Sequence, residues 1–254
     1  MPINIQPILD LMQSILQGVG QIVNSLLLPP SFIAPPLSFY REIKIPVPQP
    51  PGVTGLPTFI TFDLSNQFTA DQEQEIRDAI ALVLFNWFHH LSQKWNGGLN
   101  NGLSDLAACA LTYSTKNLKP VWYQGVAITN GRKALEVAMD QFTNIIKENG
   151  IGLFKARIDY INFSFLDPIV LTVTSATQHF VPLNLVVNAT KLDDPDIGIG
   201  LITGSMFHAW LHRAGFLDPN ATSYFITEAS MCVMRGYQPK APGIPDSLYY
   251  RYFF

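Results

Sequence analysis

Hydrophobic residues recur at helical spacing in three parts of this chain and alternate like strands in four others. The first helical run covers residues 4–28, where Ile8, Leu11, Met12, Ile15, Leu16, Val19, Ile22 and Val23 share a face and Asp10 is the lone charge. Gln13, Gln17, Gln21 and Asn24 interrupt it, so it predicts an amphipathic helix and not a membrane span. The second begins at Thr69-Ala-Asp-Gln72, the pattern of a capping box, and would bury Ile76, Ile80, Val83, Trp87, Leu91 and Trp95. The third runs from Gly131 to Asn149 with Leu135, Val137, Ala138, Phe142, Ile145 and Ile146 inward, and Gly150 ends it. Strands are expected at Thr58–Leu64, Ala156–Phe165, Ile169–Thr177 and Phe180–Val187, with a strand-like piece at Val121-Trp-Tyr. Residues 29–57 hold nine of the chain's 19 prolines, so they predict an extended strap and neither helix nor central strand. Helices and strands in this mixture predict an α+β fold, with an N-terminal helix and Pro-rich arm over residues 1–55 and a folded body over 56–254.

Composition narrows the partners. A chain of 254 residues that is 48% hydrophobic can bury a sizeable core. Only 14% of it is charged and the net charge is −3, with no cluster of lysine or arginine, which argues against nucleic acid. Residues 4–28 lack the basic start and the cleavage site of a Sec-type signal. That helix packs on its own domain by default; self-association, a membrane surface or service as an inhibitory prosegment are the sharper options. Cys109 and Cys232 read as buried free thiols by default, one disulfide being the alternative in an oxidising compartment. Asn162-Phe-Ser, Asn188-Ala-Thr and Asn220-Ala-Thr match the glycosylation triplet, which matters only on a eukaryotic secretory route.

The candidate chemistry lies in His208-Ala-Trp-Leu-His212-Arg-Ala-Gly215-Phe-Leu-Asp218. Residues four apart share a helix face, so His208 and His212 can present ring nitrogens to one Zn2+ ion. Gly215 can end the helix in a left-handed turn and bring Asp218 to the same ion. Three protein ligands leave a fourth position for water, the mark of a catalytic zinc site. Glu228 is an alternative third ligand. His89 and His90 are adjacent and cannot chelate one ion from an unbroken helix, so they read as capping or surface groups. His179 reads as a turn residue between strands, and Asp193, Asp194 and Asp196 as a solvated acidic loop before the zinc helix.

This stretch resembles the zinc-binding consensus of the metzincin metallopeptidases, HExxHxxGxxD in the snapalysin-like form. The resemblance implies a mostly parallel twisted sheet with two long helices, then a zinc helix and a short C-terminal subdomain. It implies a methionine turn beneath the metal, for which Met231 is the first choice and Met234 the alternative, and an oxyanion-stabilising tyrosine, matched loosely by Tyr237. The family's general-base glutamate is replaced by Ala209, and a methyl group cannot take a proton from zinc-bound water. The expectation is therefore a zinc endopeptidase acting on peptides or proteins and inactivated at Ala209, as a pseudoenzyme or an engineered knock-out. The alternative is a non-catalytic metal- or peptide-binding module that works through its cleft or its N-terminal helix. A secreted or exported location suits the peptidase reading.

Overall fold

The computed structural model describes residues 39–95, 103–114, 121–123, 126–128, 131–149, 155–171, 183–214, 225–238, 247, 249 and 251–252. The chain divides after Phe39, and the fold below is that of Tyr40–Phe254. The amphipathic helix expected at 4–28 lies outside the described residues, as do His179, Gly215, Asp218 and Asn220.

Five strands form one sheet: β1 (Tyr40–Pro46), β2 (Phe59–Ser65), β5 (Ala156–Ile161), β6 (Val170–Leu171) and β7 (Leu185–Asn188), in the order β1-β2-β5-β7-β6. The three central strands are parallel and each edge strand is antiparallel to its neighbour. A separate hairpin pairs β3 (Val121–Tyr123) with β4 (Val126–Ile128). Six helices are present among the described residues: α1 (Ala70–Trp95), α2 (Asp105–Ser114), α3 (Gly131–Asn149), α4 (Ala189–Leu192), α5 (Ile199–Arg213) and α6 (Phe225–Met234). None of them is long and apolar enough to cross a membrane.

β1 shows that the Pro-rich segment, expected to be neither helix nor central strand, supplies an edge strand. Tyr-Arg-Glu-Ile-Lys-Ile-Pro alternates, Ile43 and Ile45 are buried, and Pro46 is tolerated because it sits at the end of an edge strand. One face of the sheet is apolar: Ile43, Ile45, Ile60, Phe62, Leu64, Ala156 and Ile158 are buried on it, and helices α1, α3 and α5 contribute to the same core. The other face is charged, since Glu42 stands opposite Asp63 and Asp63 opposite Arg157. There Lys155 pairs with Glu42, and Tyr40 donates a 2.6 Å hydrogen bond to Asp159 Oδ1.

The capping box at the start of α1 forms as read. Gln72 N–H donates to Thr69 Oγ1 at 3.2 Å and Thr69 N–H donates to Gln72 Oε1 at 3.0 Å, so two orphan donors are satisfied. Gln72 Nε2 also donates to both Asp193 oxygens at 2.9 Å, which occupies one of the acids of the loop before α5. Trp87 fixes α1 to α3 by donating to Thr143 Oγ1 at 3.0 Å.

α2 was not foreseen, and its N-terminus is clamped by the end of α1. Asp105 accepts from Gln93 Nε2 at 2.7 Å, and Asp105 N–H donates to Gln93 Oε1 at 2.8 Å. Ser104 Oγ accepts from Ala107 N–H at 3.0 Å and shares a 2.6 Å hydrogen bond with His90 Nδ1, its direction set by the imidazole tautomer. His90 is thus no surface group: it is buried, and only His89, 3.2 Å from Asp105, is partly exposed.

Burial, with Lys94 and His89 adding repulsion, lowers the His90 pKa from 6.5 to about 4. Glu136 lies 3.7 Å from its Nε2 but is engaged by Lys94, so burial prevails. Between those two values the unfolded chain carries the proton and the folded one does not, so acidification destabilises the fold. The expected loss between pH 6.5 and 4 is about 3 kcal/mol. Asp159, whose pKa burial raises, contributes with the opposite sign, its stabilisation fading as pH rises through its folded value. Urea unfolding at pH 7 and pH 5 should show the loss in the parent and a shallower one in His90→Asn; equal slopes would dismiss His90 as the cause.

Candidate metal centre

α5 is placed by two pins. Trp210 lies between the sheet and α3, its ring stacked 6.3 Å from Phe62 and 5.8 Å from Phe142, and its Nε1 donates to the Leu183 carbonyl at 3.2 Å. Phe207 meets Phe142 edge-on at 5.9 Å, which seals the same side. The second pin is a notch. A Cβ on Gly204 would stand 2.2 Å from Met234 Cγ and 2.9 Å from the Ser230 carbonyl oxygen, so only glycine lets α6 approach this closely. Gly200, one turn earlier, would meet the Met234 carbonyl at 3.1 Å. A Gly-x-x-x-Gly spacing was the available signal for this crossing.

With its rotation fixed, α5 sets the two histidines side by side. His208 Nε2 and His212 Nε2 are 2.9 Å apart, with ring centroids 4.5 Å apart and planes perpendicular. His208 is 4% exposed and His212 is half-buried in the last turn. Two nitrogens held tetrahedrally by zinc at its usual bond length sit about 3.4 Å apart, so the pair fits the ion after the rings part by about half an ångström. As the rings stand, the two Nε2 atoms share a hydrogen bond, so one of them carries the proton. The donor chemistry fits once that proton moves to Nδ1, because each neutral imidazole then has an Nε2 lone pair to give.

Among the described residues no group of three or more His, Cys, Asp or Glu converges as a metal site. The preferred third ligand, Asp218, lies outside the described residues; Glu228 lies on α6, with its side chain also outside them. Ala209 belongs to the core and is 2% exposed.

Two expectations drawn from the methionine-turn region are corrected. Met231 and Met234 both lie on α6 and not in a tight turn, because nothing in Phe225-Ile-Thr-Glu-Ala-Ser-Met-Cys-Val-Met breaks a helix. Met231 is fully buried, while Met234 fills the notch at Gly204. The chain turns afterwards, where Gly236 (φ 57°) and Tyr237 (φ 62°) are left-handed and Tyr237 N–H donates to the Cys232 carbonyl at 2.9 Å. Tyr237 does not offer its hydroxyl to an oxyanion: the hydroxyl donates to Asn86 on α1, and burial, followed by the charge of Asp105, raises its pKa.

Cys109 on α2 and Cys232 on α6 form a disulfide, which corrects the default of free thiols. No family model, curated protein or solved structure matches the chain.

Proposed function

We propose that α5 is the metal helix of a zinc-peptidase-type site, with His208 and His212 as two ligands and Asp218 as the third. In this reading Ala209 leaves the chain without the base that peptide hydrolysis needs. The observation that carries the proposal is the pair of Nε2 atoms 2.9 Å apart on one face of a rotationally fixed helix. The order of elements agrees with the metzincin plan: two long helices, α1 and α3, and then the histidine helix following the last strand of a sheet whose central strands are parallel. When bound, zinc would supply a polarised water and a Lewis acid for a peptide carbonyl. His208, sunk in the core, would be the more rigidly held ligand, and His212, half-buried in the last turn, the more accessible one. The methyl of Ala209 neither accepts nor returns a proton. The same methyl favours the second reading, a module that holds metal or peptide without cleaving it. The disulfide supports export to an oxidising compartment.

Zinc titration of the purified chain tests the site. About one equivalent is expected, with affinity falling more than ~10-fold, or 1.4 kcal/mol, in His208→Ala and in His212→Ala. Equal loss in Asp218→Ala identifies the third ligand, and loss in Glu228→Ala without loss in Asp218→Ala moves that role to α6. Zinc content near zero after reconstitution overturns the metal reading altogether.

A further inference from the structure

The two glycosylation triplets among the described residues are not equivalent once folded. Asn188, at the end of β7, is 0% exposed, and its carboxamide is fully used. Its Nδ2 donates to the Phe163 carbonyl at 2.9 Å and the Leu166 carbonyl at 3.4 Å, and its Oδ1 accepts from Phe163 N–H at 3.2 Å and Thr190 Oγ1 at 2.8 Å. A sugar on that nitrogen is incompatible with the fold. The bonds it makes have a second effect: they hold the loop after β5 in a set shape. That loop carries the other triplet, Asn162-Phe163-Ser164, in which Asn162 and Ser164 are exposed.

We propose that Asn162 is an N-glycan acceptor. Asn162 itself does nothing for the loop, whose shape comes from Asn188 and Thr190, so its side chain is spare for modification. The Cys109–Cys232 disulfide independently favours folding in an oxidising compartment, the kind in which N-glycosylation occurs in eukaryotic cells. Three residues on, Phe165 is 77% exposed, the most exposed large apolar side chain among the described residues, and its ring lies tilted against Phe163 with centroids 5.4 Å apart. The apolar face of a first sugar ring on Asn162 would cover this pair. In the transfer, Asn162 Nδ2 bonds to the anomeric carbon of a lipid-linked oligosaccharide diphosphate. The carbon–oxygen bond to the diphosphate breaks with the lipid diphosphate as leaving group, and the proton lost from the amide nitrogen passes to solvent.

The test uses the full chain, led into the secretory pathway of a eukaryotic cell, with both secreted and retained protein mapped by peptide mass spectrometry after enzymatic removal of N-glycans. The Asn162 peptide should appear as the aspartate that such removal leaves, while the Asn188 peptide of secreted protein stays unmodified. Asn162→Gln and Ser164→Ala should each lose one glycan of mass. Deglycosylated protein should bind more of a hydrophobic dye than the glycosylated form, and Phe165→Ala should abolish that difference. An unmodified Asn162 peptide overturns the proposal, and so does a mass shift kept in Asn162→Gln but lost in Asn220→Gln.

Discussion

Replacing Ala209 by glutamate should create zinc-dependent cleavage of unfolded protein substrates, with a rate ~10²–10⁴-fold above that of the parent chain, the usual worth of positioned proton transfer. The position follows His208 directly on α5 and lies in the core at 2% exposure. A carboxylate there loses hydration, which by itself destabilises the fold and raises the carboxyl pKa. A cation held by His208 and His212 reverses both effects. Zinc should therefore raise the thermal midpoint of Ala209→Glu more than that of the parent. Ala209→Gln, of equal volume and without charge, separates the two contributions: it should tolerate zinc, gain less stability from it and cleave nothing. A glutamate variant that folds and takes up zinc but leaves a broad peptide library intact would establish the non-catalytic module.

Removing the disulfide should have the largest effect on stability. Cys109 and Cys232 are 123 residues apart, so the bond restricts a large part of the unfolded chain. The chain-entropy account gives about 4–5 kcal/mol for a loop of this size, and measured losses commonly fall within about 2–5 kcal/mol. At ~2–4 °C per kcal/mol for a chain this long, Cys109→Ala/Cys232→Ala should melt about 10 °C lower. The damage should not be uniform. α2 retains its clamp to α1 through Ser104, Asp105, Gln93 and His90, whereas α6 loses a covalent tie. Amide exchange should accelerate first in α6, and equal acceleration throughout would show that the bond supports the whole core and not one helix.

Elements specified by neighbouring residues were legible in the sequence. The Thr69–Gln72 capping box, the buried stripe Ile76–Ile80–Val83–Trp87–Leu91 and the extent of α3 needed only local pattern. β1 was hidden because its two inward isoleucines stand among prolines, and the edge position that tolerates Pro46 is a property of the sheet. α2 was hidden for a related reason: its start depends on Ser104 meeting His90, a contact between segments 14 residues apart. At the site, spacing was enough to put His208 and His212 on one face. It could not show that Tyr237 would reach Asn86 or that Cys109 would find Cys232, since each depends on where α6 crosses its neighbours; the helix over Met231 and Met234, by contrast, needed only a segment without breakers.

α5 is keyed like a shaft in a housing. The Trp210 indole, bonded to Leu183, and the empty side-chain position of Gly204, occupied by Met234, lie on different sides of one cylinder. Either contact alone would permit some roll about the axis, and together they permit almost none. Rolling the helix therefore cannot aim the imidazoles, which are left with their own side-chain torsions. In the metal reading proposed above, the remaining ligands must therefore come to the pair from other segments, because α5 cannot roll toward them.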